Sequence, residues 1–337
     1  MLTTYTCSIK ITSHSSLFVT GEHYLPSVIA KANIFEASIT FHHSFMFHRS
    51  LQNIALAALL SVAVATTSAQ KINPPKITNK EWEQAYQPFR IAGNLYYVGT
   101  YDLACYLITT PQGNILINTG LASSAKQIKK NIKILGFRFG DIKILLNTQA
   151  HYDHMGAMAF IKKKTGAQLM LDEKDAEEAK DGGSSDYALG GHGSTYTPVT
   201  PDSLLHDGDT IRLGNMQLVL LHHPGHTKGS CSFLFTVTDE RQSYKVLIAN
   251  MPTIVTDKPF ATITDYPGVT GDYAYTLKAM KNIQFDIWLS SHASQFKLHE
   301  KYHPGDAYNP AAFKDQAGYD AAISDLQKQY EEKVKQK

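Results

Sequence analysis

Between Asn147 and Gly156 the sequence reads Asn-Thr-Gln-Ala-His-Tyr-Asp-His-Met-Gly, and Gln149, His151, Asp153 and His154 all carry side chains able to bind a metal ion. Imidazole and carboxylate together suit Zn²⁺, and three protein ligands per ion leave an open coordination position, the mark of a catalytic site. Two further histidines follow strand-like runs: His226 in His-His-Pro-Gly-His-Thr-Lys-Gly-Ser and His292 in Trp-Leu-Ser-Ser-His-Ala. A lone histidine is most often a satisfied polar core residue. A cluster of this kind, with two more at strand ends beside turn glycines, reads instead as a site for one or two zinc ions.

The elements around these residues place them. Residues 142–146 are a short apolar, β-branched run, expected as a buried strand, and 155–165 carry Met158, Ala159 and Ile161 at helical spacing. The ligand turn therefore falls at the carboxyl end of a strand, where α/β proteins place their sites. Alternate residues of an extended segment point the same way, so Gln149, His151 and Asp153 can converge while His154 reaches a second direction.

Residues 70–90, polar and Pro-rich, are expected as an arm leading into the domain. Before the turn, strands are expected over 95–99, 104–109 and 114–118, the last two joined by a Pro-Gln-Gly hairpin. Ser124 with Gln127 has the spacing of a capping box opening a helix whose Ile128, Ile132 and Leu135 share a face. After the turn come a strand at 167–171 and a Gly- and Ser-rich loop over 181–198, whose length points to a functional cover over the site. Strands over 216–221, 232–237 and 244–249, a helix over 273–281 and a strand over 286–289 follow. A last helix is expected over 317–335, with Tyr319, Ile323, Leu326, Tyr330 and Val334 on one face. Two β-rich halves, each ending in helices, indicate two sheets packed face to face with helices outside, in one domain.

The chain has 337 residues, 43% hydrophobic and 18% charged, with a formal net charge of +2. Lys and Arg are scattered, so no nucleic-acid footprint is present. Residues 46–50 form a short cationic lead, 51–65 an apolar run, and 66–69 a stretch of small residues, the anatomy of a secretory signal peptide cleaved after Ala69. The run is shorter than the roughly 20 residues a membrane anchor requires. Residues 1–45 precede any such signal and are expected to be an upstream translation artefact, leaving 70–337 as the exported, periplasmic domain. Cys105 and Cys231 are expected as buried free thiols.

The ligand set resembles the metallo-β-lactamase superfamily, whose motif is His-x-His-x-Asp-His followed by later single histidines. More narrowly, the 147–156 motif, His-His-Pro-Gly-His-Thr-Lys-Gly-Ser and Ser-His-Ala-Ser-Gln look like the GOB-type class B enzymes of the third subclass, which share glutamine at the first ligand. The resemblance runs from about Leu95 to the carboxyl end. It implies a four-layer αββα sandwich, with one zinc at Gln149, His151 and His226 and a second at Asp153, His154 and His292. It implies hydrolysis of the β-lactam amide of penicillins, cephalosporins and carbapenems by a metal-bound hydroxide. Asp153 would hold both zinc and nucleophile, and no partner beyond the small substrate is expected of the monomer. For the substrate carboxylate the candidates are Ser291, Thr253 and the neighbourhood of Met251. Asn118 stands where relatives have Asp and is expected to accept from the Gln149 amide, turning its oxygen toward the metal. The alternatives are a thioesterase or lactonase of the same superfamily, or a zinc-binding protein without activity.

Overall fold

The computed structural model describes residues 71–336, so the expected artefact and signal segments lie outside the described residues. Strands β1 (Phe89–Ala92), β2 (Leu95–Tyr97), β3 (Tyr106–Thr110), β4 (Gly113–Ile117), β5 (Ile142–Leu146), β6 (Gln168–Asp172) and β7 (Ser203–Leu205) form one sheet in chain order. Its first four strands pair antiparallel, and β4 through β7 run parallel. A second sheet has the order β12 (Ile287–Ser290), β11 (Ser243–Ala249), β10 (Cys231–Thr238), β9 (Met216–His222), β8 (Thr210–Leu213), with only the β11–β12 pair parallel.

The inner strands are apolar on both faces, as a covered sheet requires. Ile115 and Ile117 of β4 join Leu218, Phe233 and Val246 of the other sheet in a core between the sheets. Leu116 and Leu145 face the other way, onto Ile128 and Ile132 of helix α1 (Ala125–Ile134). Beyond a one-turn α2 (Tyr152–Met155), Met158 and Ile161 of α3 (Met158–Thr165) cover the same face, and α4 (Ala176–Asp181) follows β6. On the far sheet, α5 (Val269–Met280) and, after a short α6 (Leu298–Lys301), α7 (Gln316–Val334) close the outer face. There Tyr319 packs on Trp288 and donates to the Met280 carbonyl. The layers are helix, sheet, sheet, helix, the expected αββα sandwich.

Three expectations about local structure change. The helix expected over 155–165 begins only at Met158, after a one-turn helix that ends at Met155. Between them the Gly156 N–H donates to the Gly120 carbonyl at 2.9 Å instead of continuing the first helix. Ser124 does not cap α1: its hydroxyl accepts from the Leu121 N–H, and a 3-10 turn (Ala122–Ser124) leads in. The stretch over 70–90 is more than an arm, since Phe89 opens β1 and Trp82 reaches the site. Cys105 and Cys231 are buried and free.

Candidate metal centre

The carboxyl ends of β4, β5, β6, β9, β11 and β12 meet at one edge of the sandwich, and hydrogen bonds across the sheets fix how they meet. Asn118, at the end of β4, has φ +62°, a left-handed conformation that asparagine tolerates well. Its side-chain oxygen accepts from the Thr148 N–H and its amide donates to Thr148 Oγ1. Thr148 Oγ1 lies 2.9 Å from Ser291 Oγ, and the Thr148 carbonyl accepts from the Cys231 N–H. The segment entering the ligand turn is thereby tied to both strands that carry the later histidines.

Asp175 completes the tie. Its carboxylate accepts from the N–H of Ala150 (2.8 Å), the hydroxyl of Thr227 (2.8 Å) and the N–H of Gly229 (2.6 Å). One buried group thus holds the turn after β5 against the turn after β9. In that second turn Gly225 has φ +130°, and a Cβ there would sit 2.9 Å from the Tyr273 ring, so only glycine fits before His226.

Three ligand candidates come together directly. Asp153 Oδ2 lies 3.1 Å from His154 Nε2 and 3.2 Å from His292 Nε2, and the ligand atoms of the three fall within 4.8 Å of one another. The Asp153–His154 approach lacks hydrogen-bond geometry, and both ring nitrogens of His154 are buried without a hydrogen-bond partner. Buried polar atoms are almost always satisfied, so an unpartnered imidazole against a carboxylate and a second imidazole fits a cation held by these three. His151 and His226 pack beside them, ring centroids 4.8 Å apart, and Gln149 is buried in the same turn.

His226, His292 and His151 each meet an oxygen of a neighbouring residue outside the cluster through one ring nitrogen. His226 Nδ1 donates to the Thr253 carbonyl at 2.7 Å. His292 Nδ1 faces Asp102 Oδ2 at 3.2 Å, and the Trp82 indole N–H donates to that same oxygen at 3.0 Å. His151 Nε2 faces Asp186 Oδ2 at 3.2 Å. Burial and the neighbouring His151 push His226 down to about 3, keeping it neutral. Burial works against a charged His292, yet hydrogen bonds to Asp102 and Asp153 outweigh it and raise the ring to about 9. Asp153 is likewise opposed by burial, but His154 and His292 hold it well below the usual carboxylate range. The turn therefore combines an ionised carboxylate with imidazoles, as a zinc site requires.

Asn118 has a different partner from the one expected, and the candidates for the substrate carboxylate have their own neighbours. Asn118 does not hydrogen-bond Gln149, because its left-handed backbone brings its amide to Thr148, one residue short. The Ser291 hydroxyl is engaged with Thr148 and Asn250, and Met251 is buried. The carbonyl and hydroxyl of Thr253 both face His226 Nδ1, so Thr253 stands behind a candidate ligand. Asp102, Asp175, Asp186 and Trp82 were not legible in the sequence, being residues of loops and short 3-10 turns with no spacing pattern.

Comparison with known proteins agrees with this geometry. A model described as the Metallo-beta-lactamase superfamily matches residues 99–239. The class B3 di-zinc metallo-β-lactamase LRA-12 from an Alaskan soil metagenome is 65% identical, over 78% of this chain and 100% of that one, with a TM-score of 0.78. GOB-18 of Elizabethkingia meningoseptica is 58% identical, over 80% of this chain and 99% of that one, with a TM-score of 0.79. Curated relatives match over shorter stretches: a probable metallo-hydrolase of Burkholderia pseudomallei is 29% identical over 117 residues, and the chain spans only 37% of its length. The chain belongs to the metallo-β-lactamase superfamily. Within it, the matches to whole solved chains place it in class B3.

Proposed function

We propose that this protein is a zinc-dependent β-lactamase of the GOB type. Gln149, His151 and His226 hold one zinc, and Asp153, His154 and His292 hold the other. What supports this is the meeting of ligands from three separated stretches at one sheet edge, in a chain that matches di-zinc class B3 structures along their full length. Zinc supplies a nucleophile from water near neutral pH and Lewis acidity toward the lactam carbonyl. The chain's own part is positional. Asp153 is ionised and able to accept a hydrogen bond from an attacking water, while Asp102 and Thr253 fix the rings of His292 and His226. The centre is net positive when loaded, which suits the carboxylate beside a β-lactam nitrogen.

A thioesterase of the same superfamily is the competing assignment. Buried Met251, at the end of β11, has no oxygen with which to bridge two metal ions, which disfavours it. The 46–69 segment supports export, and the mass of the mature chain should place its terminus near Gln70. Among the described residues no helix is long and apolar enough to cross a membrane. A chromogenic cephalosporin assay tests the assignment: turnover should be abolished by a chelator and restored by zinc. Hydrolysis of a thioester with no lactam turnover would move the protein to the competing class, and neither activity would mark a non-catalytic zinc protein.

A further inference from the structure

The loop expected over 181–198 as a cover is a folded knot around Asp186, whose side chain is only 1% exposed. Asp186 Oδ1 accepts from the backbone N–H groups of Ala188 and Leu189, and its carbonyl accepts from the Gly190 N–H at 3.0 Å. The Gly191 N–H closes the turn on the Ser184 carbonyl at 2.9 Å. This leaves Oδ2 aimed at His151 Nε2, 3.2 Å away, so that His151 presents Nδ1 to the cluster.

The next residue reaches the other histidine of the same position. The Tyr187 hydroxyl donates to the Gly225 carbonyl at 2.9 Å, in the turn just before His226. It also lies 3.4 Å from the Tyr273 hydroxyl, which donates to the Thr253 carbonyl that His226 Nδ1 engages. Two consecutive loop residues thus support both histidines of one metal position. The supports of His292, Asp102 and Trp82, come from segments earlier in the chain, and their side-chain hydrogen bonds involve no residue of 184–191.

We propose that residues 184–191 are a clamp on the Gln149/His151/His226 position, with Asp186 and Tyr187 as its positioning residues, so that the order of the loop and the loading of that one ion are linked. The inference rests on the two-zinc assignment above. Its chemistry is that a carboxylate accepting the N–H of a ligating imidazole fixes the ring and makes its other nitrogen a stronger donor. That help matters most at this position, where Gln149 offers a neutral amide oxygen and no ligand carries charge. Linkage runs both ways: an ion that binds better to the ordered loop must order it.

Zinc titration of the full mature chain against a chromophoric chelator tests the clamp. The wild type should bind two ions at saturating zinc. Asp186→Asn should weaken one of them by about 10- to 100-fold and leave the other unchanged. Asp102→Asn should do the converse, which assigns the two binding events. Tyr187→Phe, which keeps the packed ring, should weaken the same ion as Asp186→Asn by a smaller factor. Backbone hydrogen exchange over 184–191 should slow when zinc is added to the wild type and not when it is added to Asp186→Asn. Unchanged affinities in Asp186→Asn, or equal weakening of both ions, would overturn the clamp while leaving the two-zinc assignment intact. A wild type that takes up fewer than two ions would overturn that assignment, and the clamp with it.

Discussion

At Gln149 an amide stands where the superfamily motif has imidazole, and under the ligand assignment proposed above that one exchange sets the balance between the two ions. An amide oxygen is a harder and weaker zinc donor than an imidazole nitrogen. Gln149→His should therefore tighten the weaker zinc by at least about tenfold, about 1.4 kcal/mol, in the same chelator titration. Unchanged affinity would mean that Gln149 is not a ligand. That the candidate ligands converge was legible because their spacing is dense and each lies just past a strand. Their supports were not. Asp102, Asp175 and Asp186 are isolated acids whose role depends on which loop folds back on which turn, and nothing in neighbouring residues encodes that. Asn118 shows the same limit from the other side. Its importance was readable, but its partner was set by a φ of +62° that no residue type announces in advance.

Asp175 matters at the level of elements because it joins two turns that belong to different sheets. Burial and the nearby Asp172 push its carboxyl up to about 7, while the donors at Thr227 and Gly229 pull it back toward the charged form. Asp175→Ala would leave the Ala150 and Gly229 N–H groups and the Thr227 hydroxyl without their acceptor. A buried donor left unmet costs about 1–3 kcal/mol. Some relaxation and water entry should bring the total loss to about 2–5 kcal/mol, read from the midpoint and slope of urea unfolding. Asp175→Asn, which retains one acceptor oxygen, should lose less. A loss below about 1 kcal/mol for Asp175→Ala would show that the turns are held by other contacts. Strands over the apolar runs were readable at this level to within a residue or two. β1, β7, β8 and α4 were not, being short, with Ser203–Leu205 and Thr210–Leu213 held by pairing to neighbours rather than by their own pattern.

Taken whole, the sandwich has the proposed metal ligands divided between its two sheets. Gln149, His151, Asp153 and His154 follow β5 of the first sheet, whereas His226 follows β9 and His292 follows β12 of the second. Under the ligand assignment proposed above, each zinc therefore joins one sheet to the other at the edge where the layers would otherwise part most easily. The layers were readable from alternating apolar strands followed by amphipathic helices. That both ions cross between layers required knowing which strand ends adjoin. An ion that binds the folded chain and not the unfolded one stabilises it by about 2.7 kcal/mol when present at a hundred times its dissociation constant. For a domain of this size each kcal/mol is worth about 2–4 °C in Tm. Thermal unfolding of the chelated protein should therefore move upward by roughly 5–10 °C for each zinc bound. His226→Ala and His292→Ala should each abolish the increment of one ion and leave the other, because each removes the only ligand its zinc receives from the second sheet. A Tm indifferent to zinc would mean that the two ligand-bearing edges are held together without the metal, and that the turn after β5 does not bind an ion jointly with the second sheet.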